Sequence, residues 1–303
     1  MIRASDRLIL GFVTILALVA ATRLDHRPAG WWVIAACLVT AGLVWLLAHN
    51  NQTLGPLGHA LRELYPIILV VALYGALDLI NGIGLISVHD RLVQGWEGCL
   101  FGGQPSQDWW RQHPSAFWST LLHGAYLSYY FIVPFPILYF VSRRDWRAVR
   151  RVVTWTVTAF IVCYLCFLFF PVAGPYYEFP RPSPGFLDNV MARWVYRILA
   201  SGSSYGAAFP SSHVGASIVA TAAAWRGSRV LGLMLAPLTA VLTISVVYCQ
   251  MHYAVDALAG IVLAATIAAA YLWGEGRDRV GMARERVTGT QTSARAKLEG
   301  LAE

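Results

Sequence analysis

His252-Tyr253-Ala254-Val255-Asp256 opens a run that continues Ala257-Leu258-Ala259-Gly260-Ile261-Val262-Leu263 and reaches Trp273 without another charged side chain. A helix needs about 20 predominantly apolar residues to cross the hydrocarbon core of a bilayer. Residues 254–273 meet that length, so the stretch reads as a membrane-spanning helix with His252 and Asp256 at its mouth. Four residues apart, the two share a face if the helix begins there. Ionisable groups at membrane depth are costly to keep and are functional candidates by default.

Working outward, the same composition fills the chain. Of 303 residues, 57% are hydrophobic and 13% charged, which lies outside the range of soluble globular domains. Charge-poor runs predict eight spans, near 8–22, 31–48, 64–88, 118–141, 151–171, 212–225, 230–250 and 254–273. The fold class is therefore all-α, a polytopic membrane helix bundle. We divide it into two N-terminal helices and a cytoplasmic linker (1–63), a six-helix core (64–273) and a basic, flexible cytoplasmic tail (274–303). The first span, behind Arg3 and Arg7, lacks a small-residue cleavage site and reads as an uncleaved anchor. Cys163 and Cys166 form a CxxC spacing inside a wholly apolar segment, which argues against redox chemistry.

The net charge of +7 could suggest nucleic acid, but the cations sit in loops and tail rather than on a soluble module. With eight spans, sixteen of the 23 Lys and Arg fall on the side holding both termini and seven on the other. The positive-inside rule puts the termini in the cytoplasm of a plasma or inner membrane. No nucleic-acid partner is expected, and the oligomeric state is not legible.

Three motifs then share the outer face. Besides His252 and Asp256, they are Phe209-Pro210-Ser211-Ser212-His213 and Gly174-Pro175-Tyr176-Tyr177-Glu178-Phe179-Pro180-Arg181-Pro182. Proline and serine are helix-start residues, and the free N–H groups of a first helical turn attract anions. Ser211 and Ser212 add hydroxyl donors, and Arg181, fixed between prolines, can hold a phosphate bidentately. A carboxylate such as Asp256 fixes the tautomer of a neighbouring imidazole and raises the nucleophilicity of its other nitrogen. His252 is the nucleophile in this reading, and His213 the general acid for a departing alkoxide. Tyr176, Tyr177, His89, Arg91, Arg193 and Arg197 are further candidates for substrate contact. Asp78, Asn81 and His123 read as interhelical hydrogen-bonding residues.

In order and spacing these motifs resemble the type-2 phosphatidic acid phosphatase superfamily, with its pattern KxxxxxxRP, PSGH and SRxxxxxHxxxD. The resemblance covers about residues 64–273. It implies a six-helix phosphatase-like core and assigns the nucleophile to His252, its orienting carboxylate to Asp256, the acid to His213 and the phosphate-binding arginine to Arg181. Three positions depart from the pattern. Gly174 stands for the first lysine, Ser212 for the glycine of PSGH, and Val246 for the arginine after Ser245. A phosphodiester carries one negative charge where a monoester carries nearly two. A pocket with fewer cations therefore suits a diester, and the HYxxD form resembles the inositol phosphorylceramide synthase-like branch.

The expected function is metal-independent transfer of a phospho-headgroup from a phosphodiester lipid to a lipid or alcohol acceptor. The partners are thus a membrane lipid and that acceptor, with no cofactor. Lipid phosphate phosphatase, on phosphatidic acid or a polyprenyl phosphate, is the alternative. A non-enzymatic transporter or scaffold is the third reading, weakened by the lack of repeated broken helices. Two histidines and a carboxylate could also hold a metal, but the arginine and the helix N-terminus favour an anion.

Overall fold

The computed structural model describes residues 2–25, 28–49, 55–84 and 86–299. Arg27, the linker residues 50–54 and the tail residues 300–303 lie outside that set. The described chain is an all-α bundle. Helices α1 (Ala4–Thr22) and α2 (Gly30–His49) lean on each other, and α1 rests on α3 (Pro56–Asn81) and α9 (Trp146–Phe169). Between α3 and α9 come α4 (Asp90–Phe101), α5 (Pro105–Gln112), α6 (Ala116–Leu127), α7 (Tyr129–Ile132) and α8 (Pro134–Ser142). Short helices α10 (Pro175–Glu178) and α11 (Pro184–Leu187) and the longer α12 (Val190–Gly202) follow α9. The chain ends with α13 (Ser212–Gly227), α14 (Arg229–Tyr248) and α15 (Ala254–Glu299).

Among the described residues, six helices are long and apolar enough to cross a membrane, and a seventh span results if α6 to α8 is taken as one bent element. The bend of 41° falls at Pro134, whose ring cannot donate an N–H to the preceding turn. The remaining expected span, 212–225, is α13. Its 16 residues rise about 24 Å, short of the ~30 Å hydrocarbon core. It lies at the centre of the bundle, packed against α9, α14 and α15. Helices in lipid gain no hydrophobic drive from one another, so close packing relies on small residues. The buried surface of α13 is accordingly mostly small, with Gly215, Ala216, Ser217, Ala220, Thr221, Ala223 and Ala224 beside Ser212, Val214 and Val219. Gly260 is the matching gap in α15: a Cβ there would stand 2.8 Å from the Ser211 carbonyl oxygen and 3.3 Å from Gly215 N. Its absence lets α15 press onto the first turn of α13.

Two boundaries differ from the sequence expectation. α3 ends at Asn81, seven residues before the end of the apolar run, because Gly82 caps it and Gly84 follows at φ +78°. α15 continues past the expected end of its span at Trp273 to Glu299, where residues such as Ala, Arg, Glu and Lys have high helix propensity.

The end of the bundle away from the histidines is tied by ion pairs. Arg62, fully buried, donates to both carboxylate oxygens of Asp6, which also accepts from the Tyr65 hydroxyl. Glu63 accepts from Arg150 at 2.8 Å and pairs with Arg3 at 2.9 Å. Glu275 pairs with Arg151 at 2.9 Å and Arg226 at 3.3 Å. These pairs link the N-terminal parts of α1, α3 and α9 to the end of α13 and the membrane portion of α15.

Candidate active site

The opposite end gathers the motifs. Ser211 caps α13 by accepting from Val214 N, and its own N–H donates 3.0 Å to the Asp256 carbonyl. That bond fixes the start of α13 to the start of α15. Asp256 is the third residue of α15, and its carboxylate accepts from Tyr253 N at 2.8 Å, half of a capping box. Before it the chain leaves α14 through Gln250, which has φ +61°, a left-handed conformation unusual for a non-glycine residue. The tight turn lets Met251 and His252 N–H share the Val246 carbonyl and aims the His252 ring back into the bundle.

Four side chains from different elements then form a line. His252 Nδ1 lies 3.4 Å from Asp256 Oδ2. On the other side of the ring, His252 Nε2 lies 3.4 Å from His213 Nδ1. His213 Nε2 lies 3.1 Å from the hydroxyl of Tyr126 on α6, and the Tyr129 ring packs on His213 with centroids 4.4 Å apart. Burial pushes the His252 imidazole down to about 4, leaving it neutral at physiological pH.

Both histidines and Ser212 form one end of a cavity of about 690 Å³. Its walls are apolar and aromatic: Leu64, Ile67, Ile68, Val71 and Tyr74 of α3, Ile137 and Leu138 of α8, and Tyr126 and Tyr129. Ile68, Val71 and Leu138 are more than half exposed on the outside of the bundle, so the cavity has a side facing outward between α3 and α8.

The loops over the histidines are built around two further polar knots. Asp90 accepts from the N–H groups of Ala173 and Gly174, both at 2.8 Å, and from the Tyr253 hydroxyl at 3.0 Å. Gln250 accepts from Trp110 Nε1 at 3.0 Å and donates to the Pro180 carbonyl at 3.0 Å, stapling the Pro-rich segment over the site. Gly174 sits at φ +90°, where a Cβ would lie 2.8 Å from Ala208 Cβ. A lysine could not take this position without rebuilding the loop. Glu97, with no exposed surface, faces the backbone N–H groups at the start of α15, and burial followed by the charge of Asp256 pushes its carboxyl up to about 7.

His213, His252 and Asp256 are thus brought together, and Ser212, Tyr176 and Tyr177 reach the cavity wall. Ser211 is fully buried with its hydroxyl engaged as a cap. Arg181 is exposed and stands one ring back, donating 3.2 Å to the Tyr176 hydroxyl and stacking over Tyr176 and Tyr196. His89 stacks on Phe170 at 4.4 Å, Arg193 pairs with Asp188 at 3.2 Å, and Arg197 lies over Trp194. These three and Arg91 are not among the residues lining the cavity. Asn81 donates to the Phe167 carbonyl at 2.8 Å, the interhelical role expected of it, while Asp78 accepts from Tyr205 N. Sequence reasoning missed Tyr126, Glu97 and Gln250, and singled out Asp90 beside His89 and Arg91 at the substrate mouth rather than as the loop knot it forms.

Comparison with known proteins gives one decisive result. A family model described as the PAP2 superfamily matches residues 94–270, more than half of the chain. The chain belongs to the PAP2 superfamily. No curated protein and no solved structure gives a significant match. The matched segment begins in α4 and ends in α15, so all four side chains of the line lie inside the PAP2 region. Membership of the PAP2 superfamily, with six apolar spans, makes this an integral membrane protein of the phosphatase or phosphotransferase type acting on lipids.

Proposed function

We propose that this protein transfers a phospho-headgroup from a phosphodiester lipid to an alcohol acceptor through a phosphohistidine on His252, on the extracytoplasmic face. The observation that carries the reading is the line of Asp256, His252 and His213, with 3.4 Å spacings, at one end of an apolar cavity. Asp256 holds Nδ1–H, leaving the Nε2 lone pair to attack phosphorus. The P–O bond to the departing lipid alcohol breaks, and His213 gives that oxygen its proton. In the second half, His213 takes the proton of the acceptor alcohol as its oxygen attacks phosphorus and the P–Nε2 bond breaks.

Three features favour a diester and an alcohol. Gly174 is confined by its φ and by Ala208, and Val246 is buried with its carbonyl engaged, so neither family cation has a substitute at its own position. Leu64 to Tyr74 spans ten residues of α3, about 15 Å, which matches the depth of one leaflet. An apolar wall of that depth suits a lipid chain, and excluding water lets an alcohol compete for the phosphohistidine. For sidedness, the arginine clusters at the far end of the bundle agree with a cytoplasmic location opposite the site.

Hydrolysis of a lipid phosphate is the second reading, supported by superfamily membership. Purified protein supplied with a labelled phosphodiester lipid, with and without diacylglycerol or ceramide, separates them. Acceptor-dependent labelled product, insensitive to EDTA and lost in His252→Ala, is expected. Rapid release of free phosphate from phosphatidic acid, with no acceptor-dependent product from the diester, would make the protein a phosphatase.

A further inference from the structure

The line of side chains has a direction. Asp256 Oδ2 takes the Tyr253 N–H. His252 Nδ1 stands 3.4 Å from that oxygen without a hydrogen bond between them, and the proposed attack by Nε2 requires that nitrogen to be unprotonated, so the ring's proton sits on Nδ1. The nitrogen facing that lone pair is His213 Nδ1, at 3.4 Å, so a neutral His213 carries its proton on Nδ1 and has its lone pair on Nε2. The atom facing His213 Nε2 is the Tyr126 oxygen at 3.1 Å, and its hydroxyl must donate. The donors of Tyr126 and His213 then both point toward His252 Nε2.

We propose that Tyr126 is a positioning residue of the reaction: its hydroxyl holds His213 Nε2 and thereby keeps the Nδ1 proton aimed at the phosphoryl site. The inference rests on the reading of His213 as the acid. A hydroxyl suits the role because it both donates and accepts. In the resting neutral ring it donates to Nε2. When His213 takes up a second proton and becomes the imidazolium that acts as acid, the hydroxyl rotates to accept from Nε2–H. It goes on accepting after Nδ1–H has passed to the leaving oxygen, until Nδ1 takes the proton of the acceptor alcohol. Either way Nδ1 stays toward the leaving oxygen. The titratable groups seen facing the His213 ring are Tyr126 from α6, Tyr129 from α7 and His252 from the loop before α15. Tyr126 is the one that reaches Nε2. It is 3% exposed and on the cavity wall, so water does not readily replace it.

The test is Tyr126→Phe, which keeps the ring and removes the hydroxyl. In protein labelled with ¹⁵N-histidine, with His213→Gln used to assign the resonance, wild-type His213 is expected as the Nδ1–H tautomer when neutral. Tyr126→Phe is expected to shift it toward Nε2–H. On labelled phosphatidic acid or phosphodiester lipid, whichever is turned over, kcat should fall about 10–100-fold with KM nearly unchanged, a fraction of the roughly 10²–10⁴ that a positioned acid contributes. An Nε2–H tautomer in the wild type, or an unchanged tautomer in the variant, overturns the proposal. The wild-type spectrum alone decides it if the variant does not fold. Because the spectra need no substrate, failure of the proposed transfer reaction would show separately, as a wild-type protein inert on both lipids.

Discussion

At the scale of single residues, the site works by burial. His252 is 5% exposed, and desolvation holds its folded-state value near 4, below the ~6.5 of a free imidazole. A depressed histidine stays neutral as the pH falls until its folded value is reached, so under the proposed mechanism the attacking lone pair persists through mildly acidic conditions. The acid limb of kcat/KM is therefore expected near pH 4 to 5; a limb at about 6.5 would show that His252 is solvated in the free enzyme. The same shift bears on stability. Between about pH 6.5 and 4 the unfolded chain binds the proton that the folded one refuses, so this group favours the folded state less as pH drops through that window. His252, Asp256 and His213 were legible in the sequence because ionisable residues stand out against apolar runs. Tyr126 was not, because a tyrosine among apolar residues reads equally as packing. Arg181 was legible as a cation, but its stacking on Tyr176 and Tyr196 depends on α10 and α12 meeting, which no local pattern encodes.

At the scale of elements, two contacts carry the geometry. Gly260 lets α15 approach the first turn of α13, where the Ser211 N–H meets the Asp256 carbonyl. Gly260→Val would push these backbones apart and with them His213 and Asp256. We expect loss of most activity together with a lower melting temperature, measured by thermal unfolding in detergent; a variant with native kinetics would show that the approach is slack. The second contact is Arg62 with Asp6. Removing one member of a buried pair strands the other charge, at a typical cost of about 3–5 kcal/mol. Asp6→Ala is expected to destabilise the bundle by that order, and Asp6→Ala with Arg62→Leu by less. Equal losses in the single and double variants would mean that the pair itself contributes. The spans were legible because charge-free runs of sufficient length have few alternatives in a bilayer. The bend at Pro134 and the early end of α3 at Gly82 were hidden because proline and glycine are tolerated within spans, where neighbouring helices decide the outcome.

At the scale of the whole molecule, the bundle has a tied end and a reactive end. Arginine–carboxylate pairs join α1, α3, α9, α13 and α15 at one, and the histidines sit beneath loops knotted by Asp90 and Gln250 at the other. Between them, Ile68, Val71 and Leu138 leave the cavity wall facing outward along its flank. A reactant drawn through that flank is counted per unit of bilayer rather than per litre. Turnover should follow the mole fraction of reactant in mixed micelles or vesicles. It should stay constant when the whole preparation is diluted with buffer and fall when inert amphiphile is added. A rate tracking bulk molarity at fixed mole fraction would place the entrance on the aqueous side. On this account, the two-dimensional crowd of neighbouring molecules, and competition within it, sets how fast the protein works.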